Sequence, residues 1–246
     1  MKARATIVRL VRRPFRSGSA GFHGRLRLFG EVNHVQIDLR TVDQLTVTDA
    51  AARGIDVVVA LGWPGTPDMV KRPLAQSRLI VCANPAYWKR HAMPRRPVDL
   101  AHHACVIVRS PEGTVLDLWR HIQGPEVEEV AVRGWLTCES RDDALHAVLH
   151  GHGVSRFADL SVWRYVREGH LQPVLLDWDS PDSPPFNALV RPDARRDAAT
   201  QEFVAFLGRL LGDIEAQCKM LIGSRSAPER PDRYARRHGR ASAGTR

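Results

Sequence analysis

Cysteine is scarce in this 246-residue sequence, and the four cysteines are far apart. None belongs to a Cys-x-x-Cys pair, the spacing that zinc knuckles and dithiol redox sites require. The sequence therefore argues against both kinds of site and is typical of a protein in a reducing cytoplasm. The cysteines are Cys82, Cys105, Cys138 and Cys218.

Long apolar runs are also absent. No segment approaches the roughly 20 apolar residues that a membrane-spanning helix needs. Near the N-terminus, Arg9, Arg12 and Arg13 interrupt the apolar stretch that an export signal would require. We therefore expect a soluble cytoplasmic protein that does not interact with membranes.

Catalytic motifs are missing as well. We find no nucleophile elbow, no phosphate-binding loop and no paired catalytic carboxylates. The segment Gly151–Arg156 lacks the last glycine of a dinucleotide-binding motif and follows a predicted helix rather than a strand. His146 and His150 have helical i, i+4 spacing, but Ala147 stands where a zinc protease has glutamate. The sequence predicts neither an enzyme nor a cofactor or metal.

Positive charge is concentrated at the two ends. The net charge is +9, but residues 1–30 carry eight basic residues and no acid, and residues 223–246 carry seven arginines and two acids. The residues between them are mildly acidic. We expect disorder over residues 1–23 and after residue 223, and only these ends could neutralise DNA phosphates.

The apolar pattern alternates between strand and helix periods, which predicts an α/β fold. A strand at 35–39, a helix at 43–52 and an apolar strand at 55–61 suggest a right-handed βαβ unit with parallel strands. Further strands are predicted at 25–29, 78–83, 104–108, 129–136 and 172–176, and further helices at 85–91, 115–121, 141–150, 161–168 and 198–211.

Several motifs occur in a characteristic order between residues 24 and 212. They are Gly54–Ala60, Asn84–Tyr87, Asp99–Cys105, Gly151–Val154 and Phe203–Leu207. This series resembles the effector-binding domain of LysR-type transcriptional regulators. The resemblance implies a two-lobed periplasmic-binding-protein-like (type 2) fold with two crossover strands. Lobe I would comprise 24–83 and 184–212, lobe II 84–183, and a basic extension 213–246.

Two departures from that family pattern shape the functional hypothesis. Residues 1–23 are too few for the winged helix-turn-helix that precedes such domains and makes their contact with DNA. We therefore expect a truncated regulator that does not bind DNA by itself. The strands predicted at 25–28 and 35–39 also leave no room for the long helix that the family has between them, and loss of this helix would weaken a homodimer. The alternatives are a solute-binding protein of a transporter, disfavoured without an export signal, and a non-functional remnant.

The resemblance implies that a small organic, anionic effector binds between the lobes. The candidate contacts in lobe I are Thr41, which could instead cap a helix, and Trp63, which could instead shield the sheet. For Ser140 the alternative is an N-cap with Asp143 as capping-box partner, and for Arg156 it is plain solvent exposure. The candidate contacts in lobe II are Arg109, Ser140, Ser155, Arg156 and Phe157, of which the last three follow the glycines at 151 and 153 and match the family loop that lines the pocket.

Overall fold

The chain forms two compact units in a computed structural model that describes residues 5–12, 22–33, 35–42, 55–61, 69–110 and 113–223. Lobe I consists of Lys2–Gln76 and Pro185–Asp213, and lobe II of Ser77–Pro184 and the chain from Ile214. The last helix, Ala198–Ile222, begins in lobe I and continues into lobe II.

Twelve strands and five α-helices are described. In chain order the strands are β1 (Ala5–Arg12), β2 (Val35–Val42), β3 (Val57–Leu61), β4 (Val70–Ala75), β5 (Leu79–Ala83), β6 (Ala104–Val108), β7 (Leu118–Gln123), β8 (Glu126–Ala131), β9 (Arg133–Cys138), β10 (Val154–Ala158), β11 (Gln172–Val174) and β12 (Phe186–Val190). The helices are α1 (Phe22–Val32), α2 (Pro85–Arg90), α3 (Arg141–Leu149), α4 (Asp159–Arg167) and α5 (Ala198–Ile222), with 3-10 turns at Pro97–His102 and Ala194–Arg196.

The sheet of lobe I has the order β2-β1-β3-β12-β4, and all its neighbouring strands are antiparallel. Its central part corrects two expectations. Residues 5–12, predicted to be disordered, form β1, because their apolar and β-branched residues suit a strand that has partners on both sides. β1 also separates β2 from β3, so these strands do not pair in parallel as predicted.

Helix α1 replaces the strand predicted at 25–29. Leu26 and Phe29, three residues apart, are buried, whereas Leu28 is exposed, which is the pattern of a helix with one apolar face. The alternation of arginine and leucine in so short a segment fits both periods, and the packing of Phe29 against Phe203 and Phe206 favours the helix. A helix therefore does lie between the first two strands. The expectation that it is missing is wrong, and a dimer weakened by its loss no longer follows.

The core of lobe I forms between α1, the sheet and the first half of α5. Phe203 is fully buried there, together with Val57 of β3 and Ala188 of β12. The predicted helix at 43–52 lies outside the described residues. None of the helices in the described part of the chain is both long and apolar enough to cross a bilayer.

The sheet of lobe II has the order β11-β5-β10-β6-β9, with a separate hairpin formed by β7 and β8. β10 pairs antiparallel with β5 and parallel with β6, and β6 pairs parallel with β9. The helix predicted at 115–121 is wrong, since β7 begins at Leu118 and buries alternate residues, Trp119 and His121. The strand predicted at 129–136 is two strands, β8 and β9, divided at Val132.

Two glycines allow strands to approach closely around β6. A Cβ atom on Gly134 would overlap the carbonyl of Cys105, and one on Gly153 would overlap the carbonyl of Ala104. These contacts fix the position of β9 and the start of β10 against β6. Ile222, at the end of α5, joins the core of lobe II, so this helix extends well beyond its predicted end at Leu211.

Candidate functional site

The segment Ser155–Phe157, predicted to be a pocket-lining loop, is the middle of strand β10. The Ser155 hydroxyl donates to the Val106 carbonyl at 2.7 Å, and Phe157 lies in the core of lobe II. Neighbouring residues of a strand point to opposite faces, so Arg156 projects from the other side of the sheet. The glycine turn at Gly153 suggested a loop from sequence, but the apolar residues after it form the strand.

Arg156 is half-buried and stacks over an aromatic ring. Its guanidinium carbon lies 4.9 Å from the ring centre of Trp119, a cation–π contact. Its Nη1 donates a long hydrogen bond of 3.4 Å to the Ser180 hydroxyl. An arginine has five N–H donors, and this is the one hydrogen bond that its side chain makes to the described residues. The guanidinium is therefore positioned but has spare donors.

Two charged groups near Arg156 have opposite effects on its pKa. The pKa of Arg156 is lowered to about 10, chiefly by burial; the Asp182 carboxylate opposes this shift, and the positive charge of Arg141 adds to it. Arg141 is the first residue of α3, which brings a second cation into the region of the helix N-terminus. Arg156 stays charged at neutral pH, with one carboxylate and one further guanidinium in its surroundings.

His121 lies on the same face of β7 as Trp119. It is only 2% exposed, and its Nε2 atom has no hydrogen-bond partner among the described residues. Burial, and secondarily the charge of Arg156, lowers the pKa of His121 to about 4. At neutral pH this imidazole is uncharged and buried, with one nitrogen unsatisfied.

A buried ion pair holds the segment that carries Ser180. Arg78 Nε lies 2.9 Å from Asp179 Oδ1, and both side chains are almost fully buried. The backbone N–H of Arg78 also donates to Asp159 at 2.9 Å, and burial raises the pKa of that carboxyl. The start of β5 and the segment before β12 are thus fixed next to Arg156.

Other predicted contacts have local partners of their own. Ser140 accepts from the Asp143 backbone N–H at 3.4 Å and is the N-cap of α3, as the alternative interpretation proposed. The Arg109 side chain donates to the Gly113 carbonyl at 2.8 Å. Thr41 lies within β2, opposite Thr6, rather than in a loop. Trp63 lies outside the described residues.

The structure assembles residues that sequence analysis did not identify as site residues. Trp119, His121 and Ser180 surround Arg156, while Arg109 and Ser140 make separate contacts. The one sequence signal for these residues is the alternation of Trp119 and His121 with polar residues. This alternation is typical of a strand and does not fit the helix predicted at 115–121. In the described ranges no three His, Cys, Asp or Glu side chains are grouped to hold a metal, and His150 Nδ1 instead contacts the His146 carbonyl at 2.8 Å.

Comparisons with known proteins give a consistent result. Residues 26–212 match the LysR substrate binding domain family. The uncharacterized HTH-type transcriptional regulator YcaN of Escherichia coli (strain K12) is 33% identical over 151 residues, which are 61% of this chain and 48% of that protein. PgrR, an HTH-type transcriptional regulator of the same organism, is 27% identical over 179 residues, 72% of this chain and 58% of that protein.

Solved structures agree with the sequence relatives. The regulatory domain of CrgA, a LysR-type transcriptional regulator from Neisseria meningitidis, has a TM-score of 0.57 at 26% identity, covering 66% of this chain and 78% of that one. The regulatory domain of AphB in Vibrio vulnificus has a TM-score of 0.59 at 20% identity, covering 80% and 95%, and shows the fold alone. The α/β, type 2 periplasmic-binding-protein-like fold is thereby confirmed.

This chain spans about half the length of the curated relatives it matches. The family match nevertheless covers most of its described residues, including strand β10, which carries Arg156, and its neighbours β5 and β6. The chain belongs to the LysR substrate binding domain family.

Proposed function

We propose that this chain is the effector-sensing part of a LysR-type transcriptional regulator in the cytoplasm, and that it binds a small organic anion beside Arg156. The relatives are named as HTH-type transcriptional regulators, which supports a role in transcription. Contact with DNA would be made by a helix-turn-helix segment, and no catalytic step is part of the proposal.

The observation that carries the proposal is the state of Arg156. A half-buried guanidinium that is fixed over Trp119 and makes one long hydrogen bond is prepared to receive a carboxylate. The ligand would accept from donors that the described protein groups leave free, and the flat indole would offer apolar contact to a ring or chain.

Arg141 and Ser180 would assist binding. The positive charge of Arg141 also acts on Arg156, so an anion bound beside Arg156 would be attracted by both guanidinium groups. Thr41 and Trp63 stay as proposed lobe I contacts, on the family pattern alone. Arg109 and Ser140 are weaker candidates, because each already has a local partner, and Ser155 and Phe157 would act by supporting β10.

Calorimetric titration tests the proposal. The probes are a panel of aromatic and short-chain carboxylates, and the variant is Arg156→Gln. A charge-assisted hydrogen bond contributes about 1.5–3 kcal/mol, so the variant should bind about ten- to a hundredfold more weakly.

The matched control is Arg167→Gln. Arg167 also stacks on a tryptophan, Trp163, at 4.6 Å, but it is exposed on α4. Its loss should leave carboxylate binding unchanged. Equal effects of the two substitutions, or an unaltered affinity in Arg156→Gln, would place the binding site elsewhere.

A further inference from the structure

The turn between α3 and β10 exposes two histidines, His150 and His152, on either side of Gly151. Their rings are nearly parallel, with an angle of 15° between the planes and 6.4 Å between the ring centres. The nitrogens of neutral imidazoles are common ligands of divalent zinc, nickel and copper ions. The turn thus presents two such ligands side by side on lobe II.

A backbone contact determines which nitrogen of His150 is available to a ligand. Its Nδ1 atom lies 2.8 Å from the His146 carbonyl. Because a carbonyl oxygen can only accept a hydrogen bond, Nδ1 carries the hydrogen and the lone pair of the neutral ring is on Nε2. Metal-binding histidines usually donate their other N–H in this way, which orients the ring and makes the free nitrogen more basic. His150 therefore has the tautomer and the outer hydrogen bond of a metal ligand.

Side chains from elsewhere in lobe II hold the backbone of this turn. Asn84 Nδ2 donates to the last carbonyl of α3 at 2.7 Å, and Arg90 Nη2 donates to the Gly151 carbonyl at 3.0 Å. On the other side, Trp135 Nε1 donates to the His152 carbonyl at 2.9 Å, and the two rings meet edge to face. Because the turn is fixed before an ion arrives, binding costs less conformational entropy.

The distance between the two rings allows one ion to contact both. An imidazole nitrogen lies about 2.0–2.1 Å from a bound zinc ion, which places the ring centre roughly 3.2 Å from the metal. Two rings on one ion therefore have centres at most about 6.4 Å apart. The observed separation is at this limit, and both side chains are exposed, so rotation about their own bonds can shorten it.

We propose that His150 and His152 together bind one divalent transition-metal ion, such as Zn²⁺ or Ni²⁺, with water molecules as the other ligands. His150 contributes Nε2, and His152 contributes one of its ring nitrogens. The bound ion joins the end of α3 to the start of β10. The proposal is independent of anion binding at Arg156.

Calorimetric titration of the untagged full chain with Ni²⁺ tests the proposal. The wild type should bind one ion in its tightest step. Losing a ligand should cost at least as much affinity as losing an outer hydrogen-bond partner, so His150→Gln and His152→Gln should each weaken that step about ten- to a hundredfold or more. If each substitution instead removes half of the bound ions and leaves the affinity of the rest unchanged, the histidines bind separately and the shared site is wrong.

His146→Gln and His170→Gln are the matched controls, because both histidines are exposed. His146 is needed only for its backbone carbonyl, which the substitution keeps, and His170 lies after the end of α4. Both variants should bind Ni²⁺ as the wild type does. A large loss in His146→Gln would assign the ion to the helical pair His146 and His150. That result overturns the proposal, and so does a wild type that binds no Ni²⁺.

Trp135 provides a second, spectroscopic measurement of the same site. Its side chain is 64% exposed, and its ring centre lies 6.1 Å from that of His152. Paramagnetic Ni²⁺ bound to His152 should therefore quench the fluorescence of Trp135. Trp135→Phe should abolish this quenching while the calorimetric binding persists. Undiminished quenching in Trp135→Phe would place the ion beside another of the six tryptophans and contradict the proposal.

Discussion

Among single residues, His121 links the stability of the folded chain to pH. Its pKa is about 4 in the folded chain, because it is buried and near Arg156, against roughly 6.5 when unfolded. Between these values the unfolded chain binds a proton that the folded chain does not. The unfolding free energy therefore carries no penalty from His121 above about pH 6.5, and it decreases as the pH falls from 6.5 towards 4.

We therefore predict that His121→Gln removes part of the acid sensitivity of folding. The wild type should lose up to about 3 kcal/mol of unfolding free energy over this window through His121 alone. Urea unfolding at a series of pH values, for both proteins, isolates this contribution from those of the carboxylates. Parallel pH profiles would show that His121 is not the titrating group.

Gly134 tests the close approach of β9 to β6. Gly134→Ala would push a methyl group into the Cys105 carbonyl, which backbone movement must relieve, and we expect a loss of about 1–3 kcal/mol or more. Gly208→Ala is the control, because Gly208 lies in α5 with open space around its Cβ position. That change should stabilise by about 0.5–1 kcal/mol. Thermal denaturation should therefore shift in opposite directions.

At the scale of elements, the Arg78–Asp179 ion pair joins the start of β5 to the segment before β12. Removing one partner leaves a buried charge, so Asp179→Asn should cost about 3–5 kcal/mol. The double variant Arg78→Met with Asp179→Leu removes both charges and should recover part of that loss. Urea unfolding decides the outcome, and equal stability of the single and double variants would contradict it.

The elements that sequence predicted well are those whose local signals agree with their packing. Asn84 and Pro85 predict the start of α2, and Ser140 predicts that of α3, because caps are local features. Strand β6 was predicted at its observed bounds because its five residues form one apolar run between polar ones.

The incorrect secondary-structure predictions lie where tertiary contacts decide between the period of a strand and that of a helix. The segment at Leu26 suits either a strand or a helix, and Phe203 is distant in sequence although it packs on α1. The candidate site shows the same limit. The sequence identified Arg156, but Trp119 and Ser180 contact Arg156 only because distant segments of the chain pack together. No local pattern reports such a neighbourhood.

At the scale of the whole molecule, α5 contributes to both cores. A chain ending at Gly223 keeps Cys218 and Ile222, which are buried, and should melt as the full chain does. A chain ending at Leu211 loses both and should melt at a clearly lower temperature. Differential scanning calorimetry on the two truncations checks this, and equal melting temperatures would mean that the end of α5 adds no stability.

The discontinuity of the two lobes also has a consequence for synthesis on the ribosome. Lobe I needs β12 and Phe203, which are translated after the whole of Ser77–Pro184, and lobe II needs Ile222 later still. The core of lobe I cannot close from a contiguous nascent segment, so apolar strands such as β3 remain without their partners until β12 and α5 are translated. Translation must nearly finish before lobe I is complete, and we expect chaperones that hold emerging chains to shield this lobe for much of elongation.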